Sequence, residues 1–425
     1  MKLNATYIKI RDKWWGLPLF LPSLILPIFA HINTFAHISS GEVFLFYLPL
    51  ALMISMMMFF SWAALPGIAL GIFVRKYAEL GFYETLSLTA NFIIIIILCW
   101  GGYRVFTPRR NNVSHGDSRL ISQRLFWQIV FPATLFLILF QFAAFVGLLA
   151  SRENLVGVMP FNLGTLINYQ ALLVGNLIGV PLCYFIIRVV RNPFYLRSYY
   201  SQLKQQVDAK VTKKEFAIWL LALGALLLLL CMPLNEKSTI FSTNYTLSLL
   251  LPLMMWGAMR YGYKLISLLW AVVLMISIHS YQNYIPIYPG YTTQLTITSS
   301  SYLVFSFIVN YMAVLATRQR AVVRRIQRLA YVDPVVHLPN VRALNRALRD
   351  APWSALCYLR IPGMEMLVKN YGIMLRIQYK QKLSHWLSPL LEPGEDVYQL
   401  SGNDLALRLN TESHQERITA LDSHL

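Results

Sequence analysis

Charged residues are scarce in this chain. Only 13% of its 425 residues are Asp, Glu, Lys or Arg, whereas 56% are hydrophobic, and the mean hydropathy is +0.51. Soluble globular domains usually carry about 25% charged residues. The composition therefore excludes a soluble protein of ordinary type and indicates a multi-pass membrane protein.

Acidic residues are the scarcest charged class, with 19 Asp and Glu against 37 Lys and Arg. None is placed inside the apolar runs to couple transport to sodium or protons, which argues against a secondary transporter. His31 and His279 are the ionisable candidates within the spans, and both lie near span ends. That position favours a structural or interfacial role over a proton pathway.

Cysteine is also rare, with four residues in the chain. Cys99, Cys183 and Cys231 fall in apolar runs, and Cys357 falls in a predicted strand. No CxxC pair and no metal-ligand spacing is present, so the sequence predicts neither a disulfide framework nor a zinc site.

Long apolar runs fill the first three quarters of the chain. A hydrocarbon core of about 30 Å needs roughly 20 apolar residues per helix. The run from 43 to 74 exceeds one crossing, and Pro66-Gly67 lies in its second half, which favours a tight helical hairpin. The sequence thus predicts ten spans, at about 16–37, 43–59, 60–74, 87–103, 125–150, 166–187, 215–234, 245–259, 265–281 and 299–317.

The basic residues are distributed unevenly around these spans. With ten crossings, most Lys and Arg fall on one side, and that side is cytoplasmic by the positive-inside rule. The opposite side receives only Arg75, Lys76, Arg152 and Lys237. We therefore expect a bacterial inner-membrane protein with both termini in the cytoplasm. The net charge of +18 is explained by this topology, and a nucleic-acid partner is not expected.

Neutral polar residues and prolines interrupt the apolar runs. Two interpretations remain open: interhelical hydrogen bonds with helix kinks, or a small-molecule pocket among broken helices. The residues concerned are Gln141, Asn168, Gln170, Asn176, Pro49, Pro66, Pro132, Pro181 and Pro252.

Two apolar segments carry short motifs of a known family. The first has Pro49, then Leu65-Pro66-Gly67 and Leu70-Gly71; the second reads Asn176-Leu177-Ile178-Gly179-Val180-Pro181. These segments resemble the first MASE type, a bacterial membrane-associated sensor domain that precedes cytoplasmic signalling modules. The resemblance covers residues 16 to 320 and implies a sensory role for the spans.

A basic helix is predicted to follow the last span. From Arg318 the chain reads RQRAVVRRIQRLAYVDP, with Val322, Ile326 and Leu329 on one stripe. The segment is a positive-inside anchor, and in a signalling protein it also transmits movement of the spans. These two roles are compatible.

The segment after this helix resembles the opening of GGDEF diguanylate cyclase domains. Asp333, Leu338, Pro339 and Asn340 match the family's opening motif, and Tyr371-Gly372 matches its Tyr-Gly pair. A strand over 355–361 and a helix over about 364–387 follow the family's element order. The resemblance implies a nucleotide-cyclase-like sheet, and a homodimer through this domain and the basic helix.

The family's functional positions are substituted in this chain. Aligned on Gly372, Arg360 occupies the magnesium Asp position, Pro362 the second Asp, and Val368 and Ile377 the guanine-reading positions. The signature loop is Ser401, Gly402, Asn403, Asp404 and Leu405. Because phosphoryl transfer needs magnesium held by carboxylates, we predict no cyclase activity and no metal or nucleotide site.

Four segments and three functional hypotheses summarise the prediction. The segments are a tail (1–15), a helical membrane sensor (16–317), a basic helix (318–332) and an incomplete α+β GGDEF-like domain (333–425), expected to be truncated.

The combination resembles enterobacterial cyclic-di-GMP phosphodiesterases, which implies a further EAL domain using Mg or Mn to make pGpG, with cyclic-di-GMP bound only there. The alternatives are a non-catalytic receptor or scaffold and, least favoured, a transporter. The lipid bilayer is the immediate partner.

Overall fold

The computed structural model divides into two compact units, Met1–Arg318 and Gln319–Leu425. It describes residues 15–38, 41–107, 121–147, 162–208, 211–232, 244–285, 290–333, 335–351, 354–360, 364–392, 394–400, 404–410 and 419. Each unit has its own core and is described separately below.

The first unit is helical. Its helices, in chain order, are α1 (Leu17–His31), α2 (Pro49–Phe60), α3 (Leu65–Leu80), α4 (Phe82–Phe106), α5 (Phe131–Phe145), α6 (Leu163–Arg191), α7 (Tyr195–Gln206), α8 (Lys213–Cys231), α9 (Asn244–Tyr261), α10 (Tyr263–His279) and the part of α11 (Tyr291–Tyr331) up to Arg318. A helical turn, Ile121–Arg124, and a π-helical stretch, Leu125–Val130, precede α5. Because Pro132 has no N–H, the regular hydrogen bond to the preceding turn is absent at the point where the π-helical stretch ends.

Six apolar stretches are long enough to cross a membrane by length and composition within the described residues. They are Pro49–Leu80, Phe82–Phe106, Leu125–Phe145, Leu163–Arg191, Lys213–Cys231 and Tyr291–Tyr331; Leu17–His31 and Tyr263–His279 are shorter apolar helices. The first unit is therefore a helical membrane domain, and the count by this criterion is six rather than ten.

The prediction is wrong at the end of the first span and at the start of the second, because residues there form strands. Residues Thr34–Ile38 (β1) and Gly41–Phe46 (β2) form an antiparallel hairpin, in which Phe35 pairs with Phe44. Helical periodicity cannot distinguish such short apolar runs from strands. The hairpin is attached to the helices because the Phe44 N–H donates to Asn168 Oδ1 at 2.7 Å.

Contacts between helices define their directions. Gly67 faces the backbone of Pro18, and Gly71 faces that of Pro22, so α1 and α3 run parallel. Phe73 of α3 contacts Phe82, at the start of α4, at 5.8 Å, and Trp62, just before α3, contacts Trp100, near the end of α4, at 4.9 Å. The chain therefore turns back between α3 and α4.

The helix α2 runs opposite to α1 and α3. At its start the Leu48 N–H donates to Asn33 Oδ1, just beyond the C-terminal end of α1. At its end Ser61 has a positive φ of 54° and accepts a hydrogen bond from Arg104 at 3.1 Å, near the C-terminal end of α4. The stretch Pro49–Leu80 meets the length criterion as one piece, but Ser61 turns it into a helical hairpin.

The second unit is a small α/β assembly. Its elements are α12 (Val341–Asp350), β3 (Ser354–Leu359), α13 (Met364–Tyr371), α14 (Ile373–Leu387), β4 (Asp396–Gln399) and β5 (Leu405–Asn410). The strands form an antiparallel sheet in the order β3-β5-β4. Leu407 and its neighbours pack against α14 on one face, and Ala406 packs with α12 residues on the other.

Two local features of this unit follow from single residues. The Asn340 side chain caps α12 by accepting from the N–H groups of Arg342 and Ala343. Gly372, at a φ of 85°, separates α13 from α14. The continuous helix predicted over 364–387 is therefore wrong, since this Gly breaks it.

Candidate functional site

The glycines of the first family motif bring two helices into backbone contact. A Cβ added to Gly67 would lie 2.5 Å from the Pro18 carbonyl oxygen and 2.6 Å from that of Leu19. A Cβ on Gly71 would lie 3.2 Å from the Pro22 carbonyl oxygen. The spacing Gly67-x-x-x-Gly71 is the small-residue pattern that lets membrane helices approach closely.

The second motif repeats this arrangement on α6. A Cβ on Gly175 would lie 2.0 Å from the Tyr47 carbonyl oxygen, and one on Gly179 would lie 2.8 Å from the Ala51 Cβ. Gly175 was missed in the sequence analysis, although the Gly-x-x-x-Gly spacing could have identified it. The two motifs therefore pack α3 on α1 and α6 on the start of α2.

The prolines of the motifs lie at different kinds of position. Pro49 and Pro66 are in the first turns of α2 and α3, where a missing N–H costs little. Pro181 lies inside α6 and lines a cavity of about 90 Å³ together with Gln128, Tyr263 and Asn310. Pro49 and Pro66 therefore lie at the starts of helices and do not kink or break them.

The neutral polar residues mostly join helices. Gln170 Nε2 donates to Ser300 Oγ at 2.7 Å, and Asn176 Nδ2 donates to the Ile129 carbonyl at 3.4 Å. Asn176 Oδ1 and Gln141 Nε2 have no hydrogen-bond partner among the described residues. These contacts support the interpretation that the neutral polar residues form interhelical hydrogen bonds.

A second cavity, of about 130 Å³, lies among α1, the β-hairpin and α2 to α5. We call it the aromatic cavity. It is lined by Leu26, Ala30, Asn33, Phe35, Phe44, Tyr47, Pro49, Met53, Gly71, Ile72, Arg75, Lys76, Leu88, Phe92, Phe136 and Phe140. Pro49 is the one residue named for the predicted pocket that lines this cavity, and the pocket interpretation stays a prediction.

Six rings of the cavity form a connected chain of contacts. Centroid separations are 4.7 Å for Phe35 and Phe44, 4.8 Å for Phe44 and Tyr47, and 5.6 Å for Tyr47 and Phe136. Phe136 stacks on Phe140, and Phe92 contacts Phe136 at 5.4 Å and Phe140 at 5.5 Å. These separations are typical of favourable aromatic pairs, so the apolar wall of the cavity is mutually supported.

Two cations share one carboxylate at this cavity. Arg75 Nη1 contacts Glu79 Oε1, and Lys76 Nζ lies 2.9 Å from Glu79 Oε2. Arg75 Nε has no hydrogen-bond acceptor among the residues the structure describes. Arg75 and Lys76, which the predicted topology places on the side opposite the cytoplasm, line the cavity.

The two histidines lie where the sequence predicted. His31 ends α1 and His279 ends α10, and both are exposed. Imidazoles at helix C-terminal ends interact favourably with the helix dipole when protonated. His31 and His279 therefore lie at helix ends and not in the middle of a membrane helix.

In the second unit, the ends of β3 and β5 bring Arg360, the predicted lost magnesium position, near Asp404 of the signature loop. Leu359 pairs with Leu405, so Arg360 and Asp404 follow and precede this pair. Ser401, Gly402, Asn403 and Pro362 lie outside the described residues. The Tyr358 hydroxyl donates to Asp404 Oδ2, and this hydrogen bond raises the pKa of Tyr358.

The other substituted positions lie on the two helices after β3. Val368 is half-buried in α13. Ile377, on α14, packs against the apolar cluster beneath the sheet. Ile377 therefore contributes to the core.

The residues near Asp404 do not suit a magnesium ion. Magnesium sites use carboxylate oxygens in octahedral geometry, whereas Asp404 already accepts from Tyr358 and Arg360 is a cation. Within the described residues no cluster of three His, Cys, Asp or Glu side chains could hold a metal. No reaction step through a metal follows from this site.

The comparisons with known proteins concern the first unit most directly. The model of the MASE1 family matches residues 15–320, which is most of the chain. The chain belongs to the MASE1 family. MASE1 domains are membrane-associated, which agrees with the hydrophobic composition of the chain and with the six apolar stretches among the described residues that are long enough to cross a membrane.

Two curated relatives from Escherichia coli (strain K12) are similar to this MASE1 protein. Cyclic di-GMP phosphodiesterase PdeF is 99% identical over 425 residues, covering 100% of the chain and 57% of the relative. Probable cyclic di-GMP phosphodiesterase PdeA is 26% identical over 416 residues, covering 96% and 55%. The chain thus spans little more than half the length of each relative. No solved structure matches it.

Proposed function

We propose that this chain is the sensory and regulatory part of an inner-membrane cyclic-di-GMP phosphodiesterase. The observation that carries the proposal is the 99% identity, over the whole chain, to a protein named as such an enzyme, with MASE1 over residues 15–320. In this proposal the membrane unit senses a signal and regulates hydrolysis of cyclic-di-GMP to pGpG. An EAL domain using Mg or Mn carries out that hydrolysis.

Ten crossings with both termini in the cytoplasm are part of the proposal. The reversal at Ser61 supports counting α2 and α3 as separate crossings. Ten helices, α1 to α6 and α8 to α11, then correspond to the ten predicted spans. The short α2, with 12 residues, is extended at the membrane surface by the β-hairpin.

We further propose that the second unit is a GGDEF-like domain that has lost cyclase activity. The antiparallel β3-β5-β4 sheet between α12 and α14 supports the resemblance. The contact between Tyr358 and Asp404 and the cation at Arg360 support the loss of magnesium binding. Membranes containing the chain should form no cyclic-di-GMP from GTP and Mg²⁺, and labelled product would contradict this part.

A non-catalytic scaffold is the second candidate. Val322, Ile326 and Leu329 on α11 are about half exposed, at 49%, 59% and 57%, and form an apolar stripe. Such a stripe suits pairing with a second copy of the helix. A homodimer through this helix is compatible with both candidates.

The sensory role is tested in the longer PdeF relative. Gly175→Ala there should change the rate of cyclic-di-GMP hydrolysis per molecule in membrane vesicles at least twofold, since it disturbs packing beside the aromatic cavity. Gly224→Ala is the matched control, because nothing lies within 4 Å of its added Cβ. Equal rates for both variants and the unmodified protein would reject regulation by the membrane unit and favour the scaffold.

A further inference from the structure

The helix α7 connects two membrane helices and is packed against the bundle. It follows α6 after a turn in which Asn192 Oδ1 accepts a hydrogen bond from the Phe194 N–H. Its inner face is fixed because the Tyr199 hydroxyl donates to the Lys264 carbonyl, in the first turn of α10, at 2.8 Å. Because α6 and α8 are both long enough to cross a membrane, the connection between them lies at a membrane surface.

The outer face of α7 exposes large apolar side chains. Leu196 and Tyr200, four residues apart on one side of the helix, are each at least half exposed. Phe194, just before the helix, is 86% exposed. Contact of such side chains with water is unfavourable, whereas aromatic residues are stable at the level of the lipid headgroups. The outer face of α7 therefore suits a membrane interface better than the aqueous phase.

Basic residues dominate the segment that contains α7. Residues 188–215 include seven Lys and Arg but only two acids, Asp208 and Glu215, which gives the segment a net charge of +5. In the structure both acids contact Arg260 of α9, Asp208 at 3.4 Å and Glu215 at 3.7 Å. The two acids are thus directed towards a residue outside the segment.

Exposed cations of α7 lie beside its exposed apolar residues. Arg197 follows Leu196, and the Lys204 ammonium lies 5.0 Å from the centre of the Tyr200 ring. Neither cation contacts a carboxylate among the described residues. One Lys or Arg near an anionic membrane surface favours its binding by about fivefold. A free anion would leave Phe194 in water, so the charge and the apolar surface together indicate a lipid.

We propose that the outer face of α7 binds anionic phospholipids. In this arrangement Phe194, Leu196 and Tyr200 lie among the upper parts of the acyl chains, and Arg197 and Lys204 contact the phosphates. Amphipathic helices with basic and apolar side chains lie in the membrane plane in this way. This surface needs only the bilayer and is independent of the sensory role.

The test measures which lipid surrounds α7. The whole chain, in a cysteine-free background, carries Phe194→Cys labelled with bimane and is placed in nanodiscs of one fixed mixture of phosphatidylcholine and phosphatidylglycerol. A nitroxide quencher on the acyl chain is carried by one lipid or the other, at equal mole fraction. We expect at least threefold stronger quenching when phosphatidylglycerol carries the nitroxide, because the cations concentrate that lipid at α7.

A matched position controls for a general preference of the protein for phosphatidylglycerol. Phe145→Cys, at the end of α5, replaces a residue that is 85% exposed, against 86% for Phe194. The proposed topology places Phe145 at the opposite membrane surface from α7. Labelled there, bimane should be quenched equally by the two nitroxide lipids.

Charge variants separate lipid selection from damage to the fold. Arg197→Gln with Lys204→Gln should at least halve the excess quenching by phosphatidylglycerol at Phe194→Cys and leave quenching by phosphatidylcholine unchanged. Arg342→Gln with Arg349→Gln, at exposed positions of α12, removes equal charge and should preserve the excess. Salt at 1 M should abolish it, since the Debye length then falls to about 3 Å.

Four results would overturn this assignment. They are equal quenching by the two lipids at Phe194→Cys, a similar excess at Phe145→Cys, an unchanged excess in the Arg197 and Lys204 double variant, and no quenching by either lipid. In the last case, disulfide-linked dimers of unlabelled Phe194→Cys would assign the face to a second copy, and their absence to a soluble partner. None of these results depends on cyclic-di-GMP hydrolysis, so they differ from a failure of the sensory role.

Discussion

Replacement of Gly175 by Ala tests the packing of the membrane unit most directly. The added methyl carbon would lie 2.0 Å from the Tyr47 carbonyl oxygen and 2.8 Å from its carbonyl carbon. Contacts below 3.0 Å are essentially not observed for a Cβ, so α6 and residue 47 must separate by about 1 Å. Both contacts are with backbone, which cannot rotate away as a side chain can.

The expected cost combines two opposing effects. Overpacking of this kind destabilises by about 1–3 kcal/mol. Replacing Gly by Ala inside a helix stabilises by up to about 1 kcal/mol. Gly224→Ala, on α8, retains only the second effect because its added Cβ meets nothing within 4 Å. The difference between the two variants therefore isolates the clash, at roughly 1–3 kcal/mol.

The assay is the loss of monodisperse protein on heating in detergent, measured by size-exclusion chromatography. A difference of 1–3 kcal/mol corresponds to roughly 2–8 °C between the two variants, with smaller shifts expected for larger units. Gly175→Ala should have the lower midpoint. A midpoint equal to or above that of Gly224→Ala would refute the close contact between α6 and Tyr47.

Three other predictions concern the second unit, the topology and the apolar stripe. Arg408→Met removes hydrogen bonds to the carbonyls of Ala347 and Gly394 and should destabilise the β3-β5-β4 sheet by roughly 2–4 kcal/mol. Amide hydrogen exchange of residues 405–410 in the intact chain should therefore become faster. Arg349→Met, at an exposed position, is the control and should leave the exchange rates unchanged. In a cysteine-free background, Tyr77→Cys should react with an impermeant thiol reagent in intact cells and Val105→Cys only after lysis; protection of Tyr77→Cys would reject the ten-crossing topology. Ile326→Cys should form disulfide-linked dimers in membranes more efficiently than Gln327→Cys, and the reverse order would contradict pairing through the stripe.

Much of the helical architecture is predictable because lipid imposes a simple rule on sequence. Every backbone polar group in the hydrocarbon must bond internally, so apolar length alone located the membrane helices. The β-hairpin was not predicted, although Ser39, Ser40, Gly41 and Glu42 interrupt the apolar run and are a turn signal. Its strand geometry depends on tertiary contacts such as the bond between Phe44 and Asn168.

The candidate site shows the same division between local and tertiary information. Gly67, Gly71 and Gly179 were identified from their motifs, and Gly175 was recoverable from its spacing to Gly179. The aromatic cavity was not, because its rings come from the hairpin, α4 and α5, and no periodic pattern joins them. For Arg75, for example, the charge is known from the sequence, whereas the residues around it are known only from the structure.

The backbone contacts at the two Gly-x-x-x-Gly motifs have a consequence for inheritance. Any single-base change that replaces glycine by another amino acid introduces a Cβ, because every other amino acid has one. At Gly67 and Gly175 that atom meets backbone at 2.5 and 2.0 Å, whereas at Gly101 and Gly224 it meets nothing within 4 Å. Saturation mutagenesis under selection should therefore leave positions 67 and 175 invariant while 101 and 224 accept substitutions.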